Sequence, residues 1–339
     1  MAYITLNKKH FFNNLDIIAQ RSKGKDKIAL VLKDNAYGHG ILEIAKMASE
    51  YGISKAVVRS FDEAKCIASY FDYILILADQ AKEKNNKFHY TINELNAIEN
   101  FEAGTKVELK VNTGMNRNGI EPSELREAFT LIMKQGLELS AVFTHHSSAD
   151  ENKDTFSVQN ELFAKVKEEA RLLALEFSCK ELYFHSCNSA ALFETENFDE
   201  DMARIGIAAY GCMELPNNTY AQALEPILSL YAMKNSVRKL YSGETVGYGA
   251  SYRAKKDCIV GNYDFGYGDG FLRACSNNYK TPEGIKLLGR ISMDNSSFLS
   301  DKEELLIFND ARVVAQVAQT ISYEILTSLK AYLKRIVLE

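Results

Sequence analysis

Side chains that could move protons or form covalent bonds fall at the ends of apolar runs in this sequence. Lys33 closes IALVLK (28–33) and leads straight into DNAYGHG, while Lys110 lies near the end of KVELKV (106–111), with Arg117 just beyond in TGMNR. His145 and His146 follow ELSAVFT, His185 ends ELYFH ahead of CNS, and Arg204 stands at the start of ARIGIAAY (203–210). An ammonium is among the groups least tolerant of burial. Set against apolar strand residues, its charged form is disfavoured, and the free amine can then attack a carbonyl carbon or act as a base. Taken singly, each residue has a plainer reading: Lys33 as a solvated strand end, the two histidines as hydrogen-bonded structural residues. The histidine spacing matches no His-Glu-x-x-His zinc pair, and GYGDG (266–270) lacks the strand and helix that frame a dinucleotide loop, so no metal site is expected. Taken together, the set describes a polar mouth over an apolar core.

Elements that could bring such residues side by side are legible in the patterning. Candidate strands are IALVLK (28–33), SKAVV (54–58), DYILILA (72–78), KFHYT (87–91), KVELKV (106–111), ELSAVFTH (138–145), ELYFH (181–185) and ARIGIAAY (203–210). Amphipathic stretches such as ILEIAKMASEYG and FAKVKEEARLLALEF, with apolar spacings of three and four, separate most of them. Strand and helix repeated about eight times require parallel strands joined by crossovers. An open doubly wound sheet shares that pattern, but the strand count favours a barrel, in which function gathers at the carboxyl ends of the strands. After LEPILSL (224–230) helical periodicity nearly vanishes, and Gly and Tyr cluster in YSGETVGYGASYRA, VGNYDFGYGDGF and GIKLLGRISMDN. Short strands with glycine turns mark a separate β domain. The expected class is α/β: an N-terminal (β/α)8 TIM-type barrel over residues 1–225, then a mainly-β domain over 226–339. Pro226 marks the boundary, and one helical stretch (311–321) lies inside the second domain.

The chain has 339 residues, 46% of them hydrophobic, enough for the cores of two domains. A net charge of −5, with both signs interspersed, gives no reason to expect nucleic acid or an acidic membrane as partner. KEKNNK (82–87) reads as solvated loop. No apolar run reaches the roughly 18 residues of a membrane span, and the opening MAYITLNKKH lacks the core of a signal peptide. Six cysteines without a CxxC pair suit free thiols in a reducing cytosol, so a cytoplasmic protein is expected.

Read in order, IALVLKDNAYGHG, LKVNTGMNRNG, FTHHSSAD, HSCNSAA, RIGIAAYG, VGYGASYRA, GYGDG and GRISMDN resemble the motifs of the alanine racemases, a pyridoxal-phosphate enzyme family. They stand in that family's order and span residues 28–295. The resemblance implies a (β/α)8 barrel and a β domain paired head to tail in a homodimer, each active site combining one subunit's barrel with β-domain residues of the other. It implies that Lys33 forms the Schiff base with pyridoxal phosphate and serves as one base, and that Tyr248 of the other subunit is the second. A phenol titrates at about 10 in water, so Tyr248 needs positive charge or strong donors nearby. Arg204 matches the arginine that faces the pyridine nitrogen. A guanidinium does not readily release a proton, so the ring would remain unprotonated. His185 would orient Arg204 from behind. Tyr37, Ser189 and the backbone of Gly206 and Ile207 would hold the phosphate, as neutral donors suited to it. Asn188 and His145 match positions near the cofactor. Arg117 would bind the carboxylate of the amino-acid substrate, helped by Met293 and Tyr267 of the other subunit. Lys110 matches a position often carbamylated, where the added negative charge braces the arginine.

Some positions depart from the family's commonest pattern. Asn112 stands for Asp, Asn116 for a frequent Gly, and Ser292 for Cys. SYEILTSLKAYLKRI keeps a Tyr-Glu signature, but Ala331, with Tyr332 beside it, falls where a phosphate-contacting tyrosine is expected. Alternatives are a serine or broad-specificity racemase of the same fold, a pyridoxal-phosphate decarboxylase of barrel-plus-β architecture, and a pyridoxal-phosphate carrier. Arg204 and Tyr248 argue against the decarboxylase, which needs a protonated ring nitrogen. The β domain argues against the single-domain carrier. With alanine as substrate, the product D-alanine would supply peptidoglycan synthesis.

Overall fold

Aliphatic and β-branched runs just long enough to cross a barrel wall set the architecture. The computed structural model of the chain describes every residue except Lys82, Lys84, Asn152 and Lys180, so two lysines of the KEKNNK run lie outside the described residues. After an opening strand β1 (Tyr3–Asn7) come β2 (Ile28–Val31), β3 (Lys55–Val58), β4 (Tyr73–Ile76), β5 (Phe88–Ile92), β6 (Lys106–Lys110), β7 (Glu138–Phe143), β8 (Tyr183–His185) and β9 (Ala203–Ile205). The last eight form one sheet in the order β8-β7-β6-β5-β4-β3-β2-β9, every neighbouring pair parallel. Two backbone bonds join its edges: Asp201 N–H donates to Phe184 O at 3.2 Å and Arg204 N–H to Cys187 O at 2.9 Å. The expected eight-stranded barrel is present.

Helices cover the outside as their periodicity requires. Ile41–Tyr51 buries Ile44, Ala45, Met47 and Ala48 on one face and ends at Gly52, whose φ of 100° terminates it. Phe61–Ile67 starts from a capping box in which Ser60 and Glu63 satisfy each other's backbone N–H. Lys153–Glu176 buries Phe163, Val166, Ala170 and Leu173. No helix among the described residues is long and apolar enough to cross a membrane.

The second domain is mainly β, as expected. It comprises β10 (Leu228–Leu240), β11 (Thr245–Val246), β12 (Tyr252–Arg253), β13 (Cys258–Tyr263), β14 (Ser296–Phe298), β15 (Glu304–Phe308) and β16 (Lys334–Leu338). Its main sheet runs β14-β13-β10-β1-β16, with β15 also on β10, so the first strand of the chain belongs to it. β1 pairs antiparallel with β10 and parallel with β16. YITLN has the right alternation, but its partners lie more than 200 residues away, which left it invisible to a local reading. The helical stretch expected at 311–321 becomes Ala311–Ala318, stopped by the left-handed Gln319 (φ 58°), and is followed by a separate helix, Ser322–Ser328.

Where the chain leaves the barrel the fit is tight. Gly211 has φ +73°, and a Cβ there would lie 1.8 Å from the carbonyl oxygen of Glu225. Gly211→Ala is expected to cost about 2–4 kcal/mol, combining left-handed strain with overpacking, and to lower the melting temperature by several degrees. Calorimetry of the two proteins checks this; an unchanged transition would mean the junction yields freely.

Candidate active site

Side chains two apart on a strand share a face, and this rule assembles the site. Val31, Val57 and Phe143 near the strand ends, with Lys33, Arg59 and His145 two residues further on, line one cavity of about 470 Å³ at the carboxyl ends of the strands. Tyr37, Lys110, Arg117, Asn188, Ser189, Arg204, Gly206 and Ile207 line the same cavity. The structure therefore brings together the expected residues of the barrel. His185 lies just beneath, fully buried.

Lys33 reaches the cavity through an uncommon backbone. Asp34, Asn35, Ala36 and Tyr37 all have φ between 50° and 57°, a left-handed turn made without glycine. Each such residue costs roughly 1–2 kcal/mol, Asp and Asn least. The surroundings hold the turn. Glu63 Oε1 accepts from Asp34 N–H at 2.7 Å, Asn35 Oδ1 accepts from Ile41 N–H at 2.9 Å, and His39 Nδ1 donates to Ala36 O and Tyr37 O at 3.0 Å. His39 stacks on Tyr210, with ring centroids 4.3 Å apart. Lys33 itself is half-buried at the cavity wall, more open than its apolar approach suggests.

Arg204 rises from the centre of β9, only 5% exposed. Its Nη2 donates to Thr144 O at 2.7 Å and Ser186 O at 3.0 Å, and its Nη1 donates to His185 O and to His185 Nδ1. The guanidinium also lies over Phe143, 5.2 Å from the ring centroid. Burial lowers its pKa, opposed by the carboxylates of Glu200 and Glu108. The two adjacent histidines diverge. His145 Nδ1 stands 3.4 Å from Arg204 Nη2, whereas His146 Nε2 bonds Ser186 Oγ at 3.1 Å away from the cavity. Burial, then the charges of Arg204, Lys110 and Arg117, push His145 well below its usual pKa, so its ring is neutral. Burial lowers Lys110 to about 8, helped by the charges of Arg117, Arg204 and Lys33.

At the other end of the cavity hydroxyls and backbone groups gather, with the carboxylates of Asp34 and Asp150 also on the lining. Ser189 Oγ accepts from Gly206 N–H at 3.1 Å and from Ala208 N–H at 3.4 Å. A Cβ on Gly206 would lie 2.7 Å from Tyr37 Oη, so only glycine leaves this corner open. Tyr323, on the helix Ser322–Ser328, also lines the cavity and packs its ring 5.7 Å from that of Tyr37. Ala331, where the resemblance led one to expect a tyrosine, does not line the cavity, whereas Tyr323 of the Tyr-Glu signature does. Tyr332 instead donates to Asp269 Oδ1 at 2.7 Å, outside the cavity.

The departures around Arg117 have structural reasons. Asn116 has φ 55°, a left-handed position that asparagine tolerates nearly as glycine does. Asn112 Oδ1 accepts from the Gly114 and Asn116 N–H groups at 3.1 and 3.0 Å, while its Nδ2 donates to Asn116 Oδ1 and Glu121 Oε1 at 2.9 Å each. An aspartate could make the first two bonds but would repel Glu121. No contact accounts for Ser292 in place of Cys.

Tyr248, Tyr267 and Met293 do not join the cavity of their own chain. They lie on the β domain, 66%, 42% and 55% exposed. Gly268 N–H donates to Met293 O at 2.7 Å and Tyr267 N–H to Ser292 O at 3.0 Å, which ties the GYGDG and GRISMDN turns together. The Arg290 guanidinium packs against Gly249, beside Tyr248.

Known proteins share the whole pattern. Residues 6–214 match the family model of the alanine racemase N-terminal domain, and residues 227–337 match that of its C-terminal domain. The chain belongs to the alanine racemase family. Alanine racemases of Nitratiruptor sp. and Campylobacter curvus are 46% and 41% identical to it, each over 99% of both chains. The alanine racemase of Bacillus anthracis, solved with bound L-Ala-P, is 26% identical, with a TM-score of 0.85 over 100% of this chain and 95% of that one. That of E. faecalis is also 26% identical, with a TM-score of 0.86 over 99% and 98%. By family, the chain is a racemase and so an isomerase.

Among the residues that escaped the sequence reading are Tyr323, on the cavity lining, and Glu108 inside β6. The signal for Glu108 was a carboxylate in the middle of an otherwise apolar central strand. Asn112→Asp is expected to destabilise this member of the family by about 1 kcal/mol, the magnitude of an exposed hydrogen bond replaced by like-charge contact. Thermal unfolding of Asn112→Asp and of the double variant with Glu121→Gln checks it: the second change should restore the loss.

Proposed function

We propose that the chain interconverts L- and D-alanine with pyridoxal phosphate, moving the α-proton between Lys33 on one face and Tyr248 of the partner subunit on the other. The observation that carries this reading is the single cavity that holds a lysine amine, a guanidinium with donors only, and an open corner of hydroxyl and backbone groups at Tyr37, Ser189, Gly206, Ile207 and Tyr323. These suit the aldehyde, ring nitrogen and phosphate of one cofactor. When bound, that cofactor supplies an electron sink for the pair left behind by the α-proton.

The residues divide the work by their chemistry. Lys33 would hold the cofactor through its aldehyde, and its amine would take or return the α-proton. Arg204 would offer a hydrogen bond to the ring nitrogen while keeping its own protons, so the ring would stay unprotonated and draw electrons less strongly. Asn188 and His145, on the same lining, would pack beside the cofactor. Arg117 holds the substrate carboxylate. Tyr248, Tyr267 and Met293 lie exposed on the β domain, which supports a homodimer in which each copy completes the cavity of the other. D-alanine made this way would feed peptidoglycan synthesis. Six free cysteines support a reducing, cytoplasmic setting.

Purified protein with pyridoxal phosphate should form D-alanine from L-alanine well above D-serine from L-serine, and Lys33→Ala should abolish both, by chiral product analysis. Cofactor binding without D-product would refute the racemase reading; comparable serine turnover would move the protein to the broad-specificity class. Lys33→Ala and Tyr248→Phe chains, each inactive, should regain about a quarter of wild-type activity after random reassortment, because half the dimers then carry one intact site. No recovery in confirmed heterodimers would refute the shared site.

Carbamylation of Lys110 belongs to the same proposal. Its nitrogen would attack the carbon of carbon dioxide and lose a proton, turning a cation among cations into an anion facing Arg117. Only the free amine reacts, so with Lys110 lowered to about 8, the carbamate should form more readily as pH rises from 7 to 9. Carbon-13 NMR with labelled bicarbonate on wild type and Lys110→Ala reads this out, and a signal that persists in the variant would refute it.

A further inference from the structure

Below the cavity, the barrel interior holds a polar column where branched aliphatic side chains ordinarily pack. Glu108 stands at its centre, 1% exposed. Its Oε2 accepts from His185 Nε2 at 2.9 Å, its Oε1 accepts from the Tyr73 hydroxyl, and His89 Nδ1 lies 3.1 Å from Oε1. These groups converge from β6, β8, β4 and β5, and Arg204 of β9 joins them through its bond to His185 Nδ1. Burial pushes the Glu108 carboxyl upward, but the His185 and His89 rings outweigh it and hold the group well below the usual carboxylate range.

The protons of this column can be placed by elimination. A guanidinium offers donors and no lone pair, so His185 Nδ1 must be bare. The ring's proton then sits on Nε2, directed at Glu108. The opposite tautomer would set N–H against N–H at Arg204 and a lone pair against the carboxylate. Glu108, together with Glu200, also offers a negative charge to a guanidinium whose hydrogen bonds go to carbonyls and a ring nitrogen, and a buried charge without such compensation is costly.

We propose that Glu108 is a positioning residue of the reaction: it fixes the His185 tautomer and balances the buried guanidinium, and so keeps Arg204 aimed at the cavity. This rests on the reading in which Arg204 faces the cofactor's ring nitrogen. Glu108 acts from inside the barrel, through His185, and touches neither substrate nor cofactor.

Nitrogen-15 NMR of the histidine-labelled holoenzyme, assigned with His185→Gln, should find His185 with a bare Nδ1 and a protonated Nε2. A proton on Nδ1, alone or with Nε2, overturns the proposal. This readout needs no turnover, so it is separate from any failure of the racemase assay on wild type. Glu108→Gln keeps the shape and removes the charge. It should lower kcat about 10–100-fold with KM changed less than about threefold, and should shift the visible absorption maximum of the bound cofactor. Glu108→Asp, which keeps the charge, should recover most of the kcat and the wild-type maximum. Equal kcat losses in both variants with an unshifted maximum would make Glu108 a packing residue and overturn the proposal.

Discussion

The Arg204 guanidinium, buried at the heart of a closed barrel, constrains what surrounds it. A charge taken out of water must be met by hydrogen bonds and an opposite charge. The carbonyls of Thr144, Ser186 and His185 meet it from the ends of β7 and β8. Phe143 lies under its plane, and His185 couples it to the carboxylate of Glu108. Those partners fix the relative register of β6, β7, β8 and β9 at the rim where the cavity opens. Glu200 adds a second tie behind them, accepting from the Ser186 N–H and hydroxyl. The barrel interior is therefore organised around one cation as much as around its aliphatic packing.

A second constraint acts on the neighbouring strand. The left-handed turn from Asp34 to Tyr37 stores several kcal/mol of backbone strain, so tertiary contacts must hold it. Glu63 illustrates the economy of the arrangement. Its Oε1 accepts from Asp34 N–H, and its Oε2 accepts from Arg59 N–H, both at 2.7 Å, while it completes the capping box of the next helix. Tyr37, Tyr210 and Tyr323 pack together behind the turn. Gly38 must be glycine there, since a Cβ would lie 2.0 Å from the carbonyl oxygen of Leu326. The helix that carries Tyr323 and the turn that carries Lys33 are thus fitted to each other.

The two domains are also bound through the chain's own ends. β1 and β16 lie side by side in the second sheet, so the chain leaves that sheet to build the barrel and returns to it. Met233 N–H to Asp264 Oδ1 at 2.7 Å and the β10–β13 ladder hold the long strand β10 in place across its bulge. This gives the exposed turn at Tyr248 and the tied GYGDG and GRISMDN turns a rigid base. Such a base suits the proposal that these groups complete the cavity of another copy.

Much was determined by sequence alone. The strand and helix alternation named the barrel, because period-two and period-3.6 patterns are local properties of a chain with one face to bury. Lys33, Lys110, Arg117 and His145 were legible as a set because each sits at or just past the end of an apolar run, and parallel strands bring such ends to one rim, whereas Arg204 stands at the start of its run and was marked by the family resemblance. Other features were decided only by the tertiary structure. Tyr323 reaches the cavity because a helix from the second domain packs on the left-handed turn, a contact between residues nearly 300 positions apart. β1 joins a sheet whose other strands come after residue 227. The surroundings of Glu108 depend on which residues of three other strands face it across the barrel interior. In each case the deciding contact is long-range, set by how the strands close and how the domains dock, and a local pattern carries no record of it.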